Sequence, residues 1–311
     1  MSKVNLKELS LQDERLTGGH RLCSGCGASI IVRQILHATD DPVVVGCATG
    51  CLEVSTTIYP YTAWKDSFIH NAFENAAATI SGTEAAYRSL KRQGKIDEDK
   101  EVKFIAFGGD GGTYDIGFQS LSGAMERGHN MVYVCYDNGA YMNTGIQRSS
   151  ATPRNASTTT SPAGEVIPGK TQFRKELTDI IAAHNIPYVA QASPHNFKDL
   201  IRKARKAFEV DGPAFLNVLS QCPRGWRYPE DQAMDIMRAG TDSCFWPLFE
   251  VEDGEWKLNH IPKEKAPVTD WLEPQGRFKH LFKEGNEDLI EEIQEQIDKR
   301  WEELLHKCGE K

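Results

Sequence analysis

Short apolar runs alternate with longer amphipathic segments along most of this chain. The runs are rich in β-branched and aromatic residues and predict strands at 43–45, 104–107, 131–136, 187–191 and 214–219. The segments between them predict helices directly behind residue 27 and at 71–94, 174–184 and 195–209. Such alternation is typical of the α/β class, and it indicates a doubly wound, mainly parallel sheet with helices on both faces.

The pattern changes after residue 245. Residues 247–262 predict a short hairpin, and residues 286–307 predict a terminal helix with Ile293, Ile297, Trp301 and Leu304 on one apolar stripe. We therefore expect one domain over 1–245 and a C-terminal extension over 246–311 that packs on the domain or on a partner subunit. Residues 149–171 are rich in Ser, Thr, Pro and Gly, and they predict a long loop that covers a site or contacts a partner.

Composition excludes several classes of protein. The 311 residues are 40% hydrophobic and 26% charged, which is ordinary for a globular protein, and the net charge of −8 with no basic stripe argues against nucleic-acid binding. The amino terminus is polar, and no run of eighteen apolar residues predicts a membrane span. A cytoplasmic location is the expectation.

Two polar loops follow neighbouring predicted strands. Gly109-Asp110-Gly111 follows the run at 104–107, and Asp137-Asn138-Gly139-Ala140 follows the run at 131–136. If the strands are adjacent, a carboxylate oxygen of Asp110, an amide oxygen of Asn138 and the carbonyl of Ala140 can share one Mg²⁺, whose other positions remain for phosphate and water. The glycines let backbone N–H groups approach a phosphate closely. Taken alone, Gly-Asp-Gly is also typical of an ordinary turn before a helix.

Four of the eight cysteines lie in loops that the predicted sheet brings to the same edge. Cys23 and Cys26 form a C-x2-C pair, Cys51 follows after 24 residues, and Cys222 follows the strand at 214–219. Four thiolates suit a tetrahedral Zn²⁺ or a [4Fe–4S] cluster, and the spacing does not separate these two. A redox dithiol or core cysteines are further alternatives. Cys47 is either a further ligand or a residue buried beneath the loop. Cys135 lies within a predicted apolar strand, so we expect it in the core.

Together these motifs resemble a known family. The spacing of 28 residues between Asp110 and Asn138 resembles the thiamin diphosphate motif, in which Gly-Asp-Gly precedes an Asn-containing turn by about thirty residues. With the segments GHRLCSGCG, VVVGCATGC, FGGDGGTYDIGF, NTG followed by QRSSATP, and Cys-Pro after the last core strand, the chain resembles the β subunit of 2-oxoacid:ferredoxin oxidoreductases. The resemblance runs from about His20 to Trp226, and the tail segments FWPLFE and QGRFKHL also fit it.

The resemblance implies a thiamin diphosphate-binding fold and three cofactors: thiamin diphosphate, Mg²⁺ and a [4Fe–4S] cluster. Asn143 would lie beside the thiazolium ring or the substrate, and Thr49 and Gly50 would lie between cofactor and cluster, with Asn143 and Thr49 as the catalytic candidates. Many relatives have Thr where this chain has Asn138, and an amide oxygen is an acceptable substitute for Mg²⁺. The implied cofactor-binding residues are Gly50, Gly109, Asp110, Gly111, Asn138, Ala140 and Asn143, the Mg²⁺ ligands are Asp110, Asn138 and Ala140, and the cluster ligands are Cys23, Cys26, Cys51 and Cys222.

The implied reaction is oxidative decarboxylation of a 2-oxoacid with single-electron transfer to ferredoxin, usually with formation of an acyl-CoA. Pyruvate is the expected substrate, with oxalate, branched-chain 2-oxoacids and 2-oxoglutarate as alternatives. The acid that activates thiamin is not recognisable among Glu53, Glu74 and Glu84, and in the family it comes from the α subunit. The expected partners are therefore α, γ or δ subunits, ferredoxin, the substrate and coenzyme A. Two other functions remain open: a non-redox thiamin-dependent lyase with a structural zinc, and an iron–sulfur electron-transfer subunit without thiamin.

Overall fold

One mainly parallel sheet forms the centre of the molecule. A computed structural model describes residues 4–310. Residues 1–3 and 311, which belong to the predicted ranges 1–245 and 246–311, lie outside the described residues. Eight strands within the described part form a single sheet in the order β2-β1-β3-β4-β6-β5-β7-β8. The strands are β1 Val43–Ala48, β2 Ser67–Asn71, β3 Lys103–Gly109, β4 Val132–Asp137, β5 Tyr188–Ala192, β6 Ala214–Leu219, β7 Phe249–Glu252 and β8 Glu255–Leu258.

Helices cover both faces of the sheet, as the pattern predicts. The α-helices are α1 Leu6–Leu9, α2 Gly27–Leu36, α3 Cys51–Thr56, α4 Ala76–Arg92, α5 Phe118–Glu126, α6 Leu177–Ala182, α7 Phe197–Glu209, α8 Pro223–Trp226, α9 Ala233–Asp242, α10 Thr269–Leu272 and α11 Glu287–Lys307. A π-helical turn spans Gly111–Ile116, and 3₁₀ turns span Glu230–Gln232 and Gly276–Phe282. Helices α2 and α7 pack into one buried apolar cluster, and α4, α5, α6 and α11 pack into the other. The doubly wound α/β arrangement is therefore confirmed.

The first part of the predicted helix 71–94 is wrong. Residues Ser67–Asn71 form the edge strand β2, which pairs in parallel with β1, and α4 begins only at Ala76. The sequence gives little signal for β2 because SFIHN is mixed in polarity and only Asn71 is fully buried. An edge strand has one neighbour and less need of a continuous apolar run.

The residues after 245 continue the same sheet and the same core. Strands β7 and β8 form the predicted hairpin, and β7 pairs antiparallel with β5. The predicted stripe on α11 is buried, because Ile293, Ile297, Trp301 and Leu304 belong to the apolar cluster under the sheet. The division at residue 245 stays a prediction. No helix between residues 4 and 310 is long and apolar enough to cross a membrane.

The order of the strands brings four loops to one edge. Strands β1, β3, β4 and β6 are consecutive neighbours and parallel, so the loops that follow them all lie at their carboxyl ends. Ligand sites in such sheets form at this edge. The loops after β3 and β4 are the two that the sequence predicts to form a metal site. The loop after β1 leads to Cys51, and the loop after β6 leads to Cys222.

We predict that α11 contributes to the stability of the whole molecule. Leu304→Ala removes a side chain that is buried in the core, and it should lower the free energy of unfolding by about 2–5 kcal/mol, because buried apolar volume is lost and a cavity remains. Glu302→Ala, at an exposed position of the same helix, should change the free energy of unfolding by less than about 0.5 kcal/mol. Denaturant titration of each variant measures both values. Equal effects of the two substitutions would contradict the docking of this helix.

Candidate cofactor and metal site

The two polar loops meet where the sequence predicts. Strand β3 ends at Gly109, which lies beside Tyr136 of β4, so Asp110 and Asn138 follow adjacent strand ends. Asp110 begins the π-helical turn Gly111–Ile116 and is fully buried. The backbone N–H of Asn138 donates to Asp110 Oδ1 at 3.3 Å, which joins the two loops directly.

Three oxygens can converge at this junction. The side-chain amide of Asn138 has two possible orientations, and in one of them its oxygen lies 2.9 Å from Asp110 Oδ1 and 2.8 Å from the carbonyl oxygen of Ala140. In the other orientation the amide nitrogen donates to both of these oxygens. Adjacent ligands of an octahedral Mg²⁺ with bonds of 2.0–2.1 Å lie about 2.9 Å apart. The first orientation therefore matches three ligands of one Mg²⁺, and the second closes the site when no cation is bound.

The charge at Asp110 favours a cation. Its Oδ2 accepts a hydrogen bond from the Ser149 hydroxyl, but within residues 4–310 Asp110 forms no ion pair. Burial, and then the nearby Asp137 carboxylate, raise the pKa of Asp110 well above its usual range. Asp137 itself is compensated, because Tyr114 Oη and Arg174 Nη2 donate to its Oδ2 at 2.6 and 2.8 Å. A divalent cation would hold Asp110 in its ionised form, so the donor set and the charge both fit Mg²⁺.

A narrow cleft opens beside these oxygens. Its walls come from the loops after β1, β3 and β4, and they include Thr49, Gly50, Gly109, Gly111, Tyr136, Asn138, Ala140, Tyr141 and Asn143. A Cβ atom at Gly111 would lie 2.3 Å from the ring of Tyr141, so only glycine fits that wall without a shift of the ring. The Tyr136 hydroxyl is buried and makes no hydrogen bond within the described chain. An unsatisfied buried hydroxyl in a cleft wall fits a site for a polar ligand.

The four predicted cluster cysteines also lie at this edge of the sheet. Cys23 and Cys26 precede α2, Cys51 begins α3 after β1, and Cys222 caps α8 after β6. The backbone N–H of Gly225 donates to Cys222 Sγ at 3.3 Å. The loop of the C-x2-C pair joins the Cys222 loop, because the N–H of Gly27 donates to the Gln221 carbonyl at 3.0 Å.

The thiols influence one another without forming a compact single-ion site. Burial, and then the neighbouring thiols, raise the pKa of Cys26 to about 11 and that of Cys51 to about 12. Even so, no three His, Cys, Asp or Glu side chains of residues 4–310 converge closely enough to hold one metal ion. Tetrahedral zinc with 2.3 Å bonds needs sulfur atoms about 3.8 Å apart. A [4Fe–4S] cluster does not require this close approach, since each thiolate binds a different iron atom.

Two contacts join the oxygen site to the thiols. Cys51 Sγ lies 3.8 Å from the amide oxygen of Asn143, which lines the cleft. Trp226 Nε1 donates to the carbonyl oxygen of Asn138 at 2.7 Å, while the backbone N–H of Trp226 donates to the Cys222 carbonyl at 2.9 Å. The sequence reasoning did not identify Trp226, although it belongs to the same loop as Cys222.

The remaining predicted residues are placed as follows. Thr49 lines the cleft, but its hydroxyl donates to the Asn71 carbonyl at 2.8 Å, so its side chain is already partly committed to β2. Cys135 is buried within β4, as predicted, and Cys47 is fully buried in β1 beneath the loop. The sequence reasoning also missed Ser149 and Tyr136, because nothing in a loop serine or a strand tyrosine marks the group it contacts.

Comparison with known proteins gives consistent results. Residues 45–218 match the family described as thiamine pyrophosphate enzyme, C-terminal TPP binding domain. The chain is 51% identical to pyruvate synthase subunit PorB of Thermotoga maritima, over 97% of this chain and 96% of that protein. It is 50% identical to PorB of Methanocaldococcus jannaschii, over 93% and 96% of the two chains. It is 42% identical to ketoisovalerate oxidoreductase subunit VorB of Pyrococcus furiosus, over 94% and 93%.

A solved structure supports the fold. The 2-oxoglutarate:ferredoxin oxidoreductase from Magnetococcus marinus, with 2-oxoglutarate, coenzyme A and succinyl-CoA bound, aligns with a TM-score of 0.55 over 89% of this chain and 94% of that chain. The sequence identity is 21%, so this likeness concerns the fold alone.

The burial of the thiols predicts an order of alkylation in the cluster-free chain. With a pKa of about 11, Cys26 has about 100-fold less thiolate at pH 8 than a thiol at its ordinary pKa, and Cys51, at about 12, has less still. A thiolate of higher pKa is a stronger nucleophile, and this offsets part of its lower abundance. We therefore expect Cys26 and Cys51 to react with iodoacetamide at least about tenfold more slowly than the exposed Cys23.

Peptide mass spectrometry over time measures the three rates. Buried Cys47 serves as the control and should react only after the chain unfolds. Equal rates for Cys23, Cys26 and Cys51 would contradict the burial of the thiol site.

Proposed function

The chain belongs to the thiamine pyrophosphate enzymes and, within them, to the β subunits of 2-oxoacid:ferredoxin oxidoreductases, and from this premise we propose that it holds thiamin diphosphate, Mg²⁺ and a [4Fe–4S] cluster for the oxidation of pyruvate. The observation that carries the proposal is the junction of Asp110, Asn138 and Ala140, where three oxygens have the spacing of Mg²⁺ ligands beside four cysteines.

Each group would be held by residues at the carboxyl edge of the sheet. Asp110, Asn138 and the carbonyl of Ala140 would bind Mg²⁺, and the backbone of Gly50, Gly109 and Gly111 would approach the diphosphate. Asn143 and Thr49 would line the reacting end of the cleft. Cys23, Cys26, Cys51 and Cys222 would bind the cluster.

When bound, thiamin diphosphate stabilises the negative charge left at the carbonyl carbon as a 2-oxoacid loses CO₂, and the cluster carries the released electrons singly. The chain's residues fix the two groups relative to each other. Trp226 ties the Asn138 loop to the Cys222 loop, and Asn143 lies against Cys51. The full burial of Asp110 shields its carboxylate from bulk water.

Two of the three glutamates considered as the acid that activates thiamin already have partners. Among the candidates, Glu53 is buried, but its Oε1 already contacts His70 Nδ1 at 2.5 Å and accepts from the Thr57 hydroxyl at 2.7 Å. Glu84 is committed to Arg88 and His129. We propose that an α subunit donates this acid, that γ or δ subunits complete a cytoplasmic complex, and that ferredoxin and coenzyme A are the electron and acyl acceptors.

Pyruvate is proposed as the substrate because the two PorB relatives named above, which are 51% and 50% identical to this chain, are subunits of pyruvate synthase. VorB, a subunit of a ketoisovalerate oxidoreductase, is less similar at 42%. A non-redox lyase with a structural zinc is disfavoured because no three His, Cys, Asp or Glu side chains of residues 4–310 converge on a single-ion site. An electron-transfer subunit without thiamin leaves the paired oxygen loops without a role.

The composition of the anaerobically purified complex tests the proposal and its two alternatives. We expect iron and sulfide in the ratio of a [4Fe–4S] cluster in this chain, with one thiamin diphosphate per chain. Zinc without iron would favour the lyase. Iron without thiamin would favour the electron-transfer subunit.

Substitution should separate the two halves of the site. Asp110→Ala should abolish bound thiamin diphosphate and Mg²⁺ while it retains iron, because the hydrogen bonds of the carboxylate go to Asn138 and Ser149 and not to the four proposed cluster cysteines. Cys222→Ser should lose cluster iron while thiamin remains. The controls are Asp235→Ala, at an exposed aspartate, and Cys308→Ser, at a cysteine outside the site, and both should retain all three groups. Loss of thiamin with an intact cluster in Cys222→Ser would contradict this division.

The proposed substrate is tested by steady-state assays of the complete complex with a viologen dye as acceptor. We expect kcat/KM for pyruvate to exceed that for 2-oxoglutarate, oxalate and a branched-chain 2-oxoacid by at least about tenfold, since each added group must fit a closed site. A higher value for any of the other three acids would overturn pyruvate as the substrate.

A further inference from the structure

A buried arginine of the C-terminal extension forms no ion pair with any carboxylate of residues 4–310. Arg277 is only 3% exposed, and its Nε donates to Gln275 Oε1 at 2.8 Å. None of the carboxylates between residues 4 and 310 forms an ion pair with it. Its guanidinium instead lies over the rings of Trp226, Trp271 and Phe278, at 4.3, 5.5 and 5.0 Å from their centroids.

Such a cation is unfavourable unless an anion is nearby. Stacking on aromatic rings recovers part of the lost hydration, but a buried charge without an opposite charge still destabilises a fold. Two other buried cations are paired, Arg174 with Asp137 and Lys203 with Asp199, whereas the buried Lys170 donates to backbone carbonyls. Arg277 has neither arrangement, and it would be stabilised by a negative charge that residues 4–310 do not provide.

The segment that carries Arg277 is fixed against the Cys222 loop. The N–H of Gly276 donates to the Arg227 carbonyl at 3.1 Å, and a Cβ atom at Gly276 would lie 2.8 Å from the Arg227 Cβ. The ring on which Arg277 stacks most closely belongs to Trp226, whose N–H bonds the carbonyl of Cys222 within the same helical turn.

Burial lowers the pKa of Arg277 to about 9, and of the groups that oppose this shift Cys222 acts most strongly, ahead of Asp137 and Asp110. Arg174 already neutralises Asp137. The Nη1 of Arg277 lies beside Gly139 of the Asn138 loop, where a Cβ atom would be 3.0 Å from it. A cluster bound through Cys222 would place a negative charge beside the turn of Trp226, on which Arg277 stacks.

We propose that Arg277 is the buried countercharge of the iron–sulfur cluster bound through Cys222, and that it raises the reduction potential of that cluster. The inference rests on the proposed function, because it requires the cluster. Reduction adds one negative charge to the cluster, and a fixed cation in a region of low dielectric stabilises the reduced state more than the oxidised state. The QGRF segment of the extension is then part of the electron-transfer site.

The test compares Arg277→Met, Arg277→Lys and Arg300→Gln in the full chain after anaerobic reconstitution with iron and sulfide. Redox titration followed by electron paramagnetic resonance measures the midpoint potential. We expect Arg277→Met to weaken the reduced form at least tenfold, which is a fall of about 59 mV for a one-electron couple. Arg277→Lys should stay closer to the parent protein. Arg300 belongs to the same extension as Arg277 and pairs with Asp179 of the main domain. Arg300→Gln therefore removes a cation that already has a partner, and it should leave the potential unchanged.

Several outcomes overturn the inference. A bound cluster with an unchanged potential in Arg277→Met does so while the proposed function stands, whereas no cluster in the parent chain sinks the proposed function itself. Loss of thiamin diphosphate without a change of potential would assign Arg277 to the oxygen site instead.

Thermal unfolding of the cluster-free chain keeps the test informative if Arg277→Met takes up no cluster. Without the cluster, the Arg277→Met variant should be at least as stable as the parent chain, because the substitution removes an unpaired buried charge. A strong loss of stability would show a purely structural arginine and overturn the inference. Cluster uptake by Arg277→Lys but not by Arg277→Met supports it, and failure of both variants to take up a cluster contradicts it.

Discussion

The buried carboxylate of Asp110 is the constraint on which the site depends. It lies at the end of a central strand beside the oxygens of Asn138 and Ala140, and no cationic side chain of residues 4–310 pairs with it, whereas Arg174 neutralises the neighbouring Asp137. A carboxylate in such a place needs either a proton or a metal ion. The rest of the edge is consistent with the metal ion, since glycines line the cleft where a diphosphate would approach the backbone.

The topology of the sheet explains why a second site lies beside the first. The loops that follow four adjacent parallel strands lie at one edge of the sheet, and they carry the proposed oxygen ligands and two of the cysteines. Trp226 connects the halves with one hydrogen bond to the Asn138 loop and a second within the Cys222 turn. Arg277 of the C-terminal extension stacks on Trp226, so residues far apart in the chain share one electrostatic environment.

Much of this arrangement is predictable from the sequence. Apolar runs revealed the buried strands, and the position of Asp110 and Asn138 after two of them predicted their proximity, because parallel neighbours end at the same edge. Strand β2 escaped prediction because an edge strand with half-exposed residues lacks a clear period. The roles of Ser149, Tyr136 and Arg277 also escaped, because each depends on a contact across many residues of sequence, and no local pattern encodes which group a buried hydroxyl or guanidinium will face.

The central claim is that one edge of the sheet holds a diphosphate-bound cation beside an iron–sulfur cluster. The most direct measurement replaces Mg²⁺ with Mn²⁺ in the thiamin-loaded, cluster-containing protein and records the Mn²⁺ electron paramagnetic resonance with the cluster oxidised and then reduced. The account predicts phosphorus couplings on the Mn²⁺ signal and faster Mn²⁺ spin relaxation when the nearby cluster becomes paramagnetic. Bound Mn²⁺ without phosphorus couplings, or with the same relaxation in both states of the cluster, would contradict it.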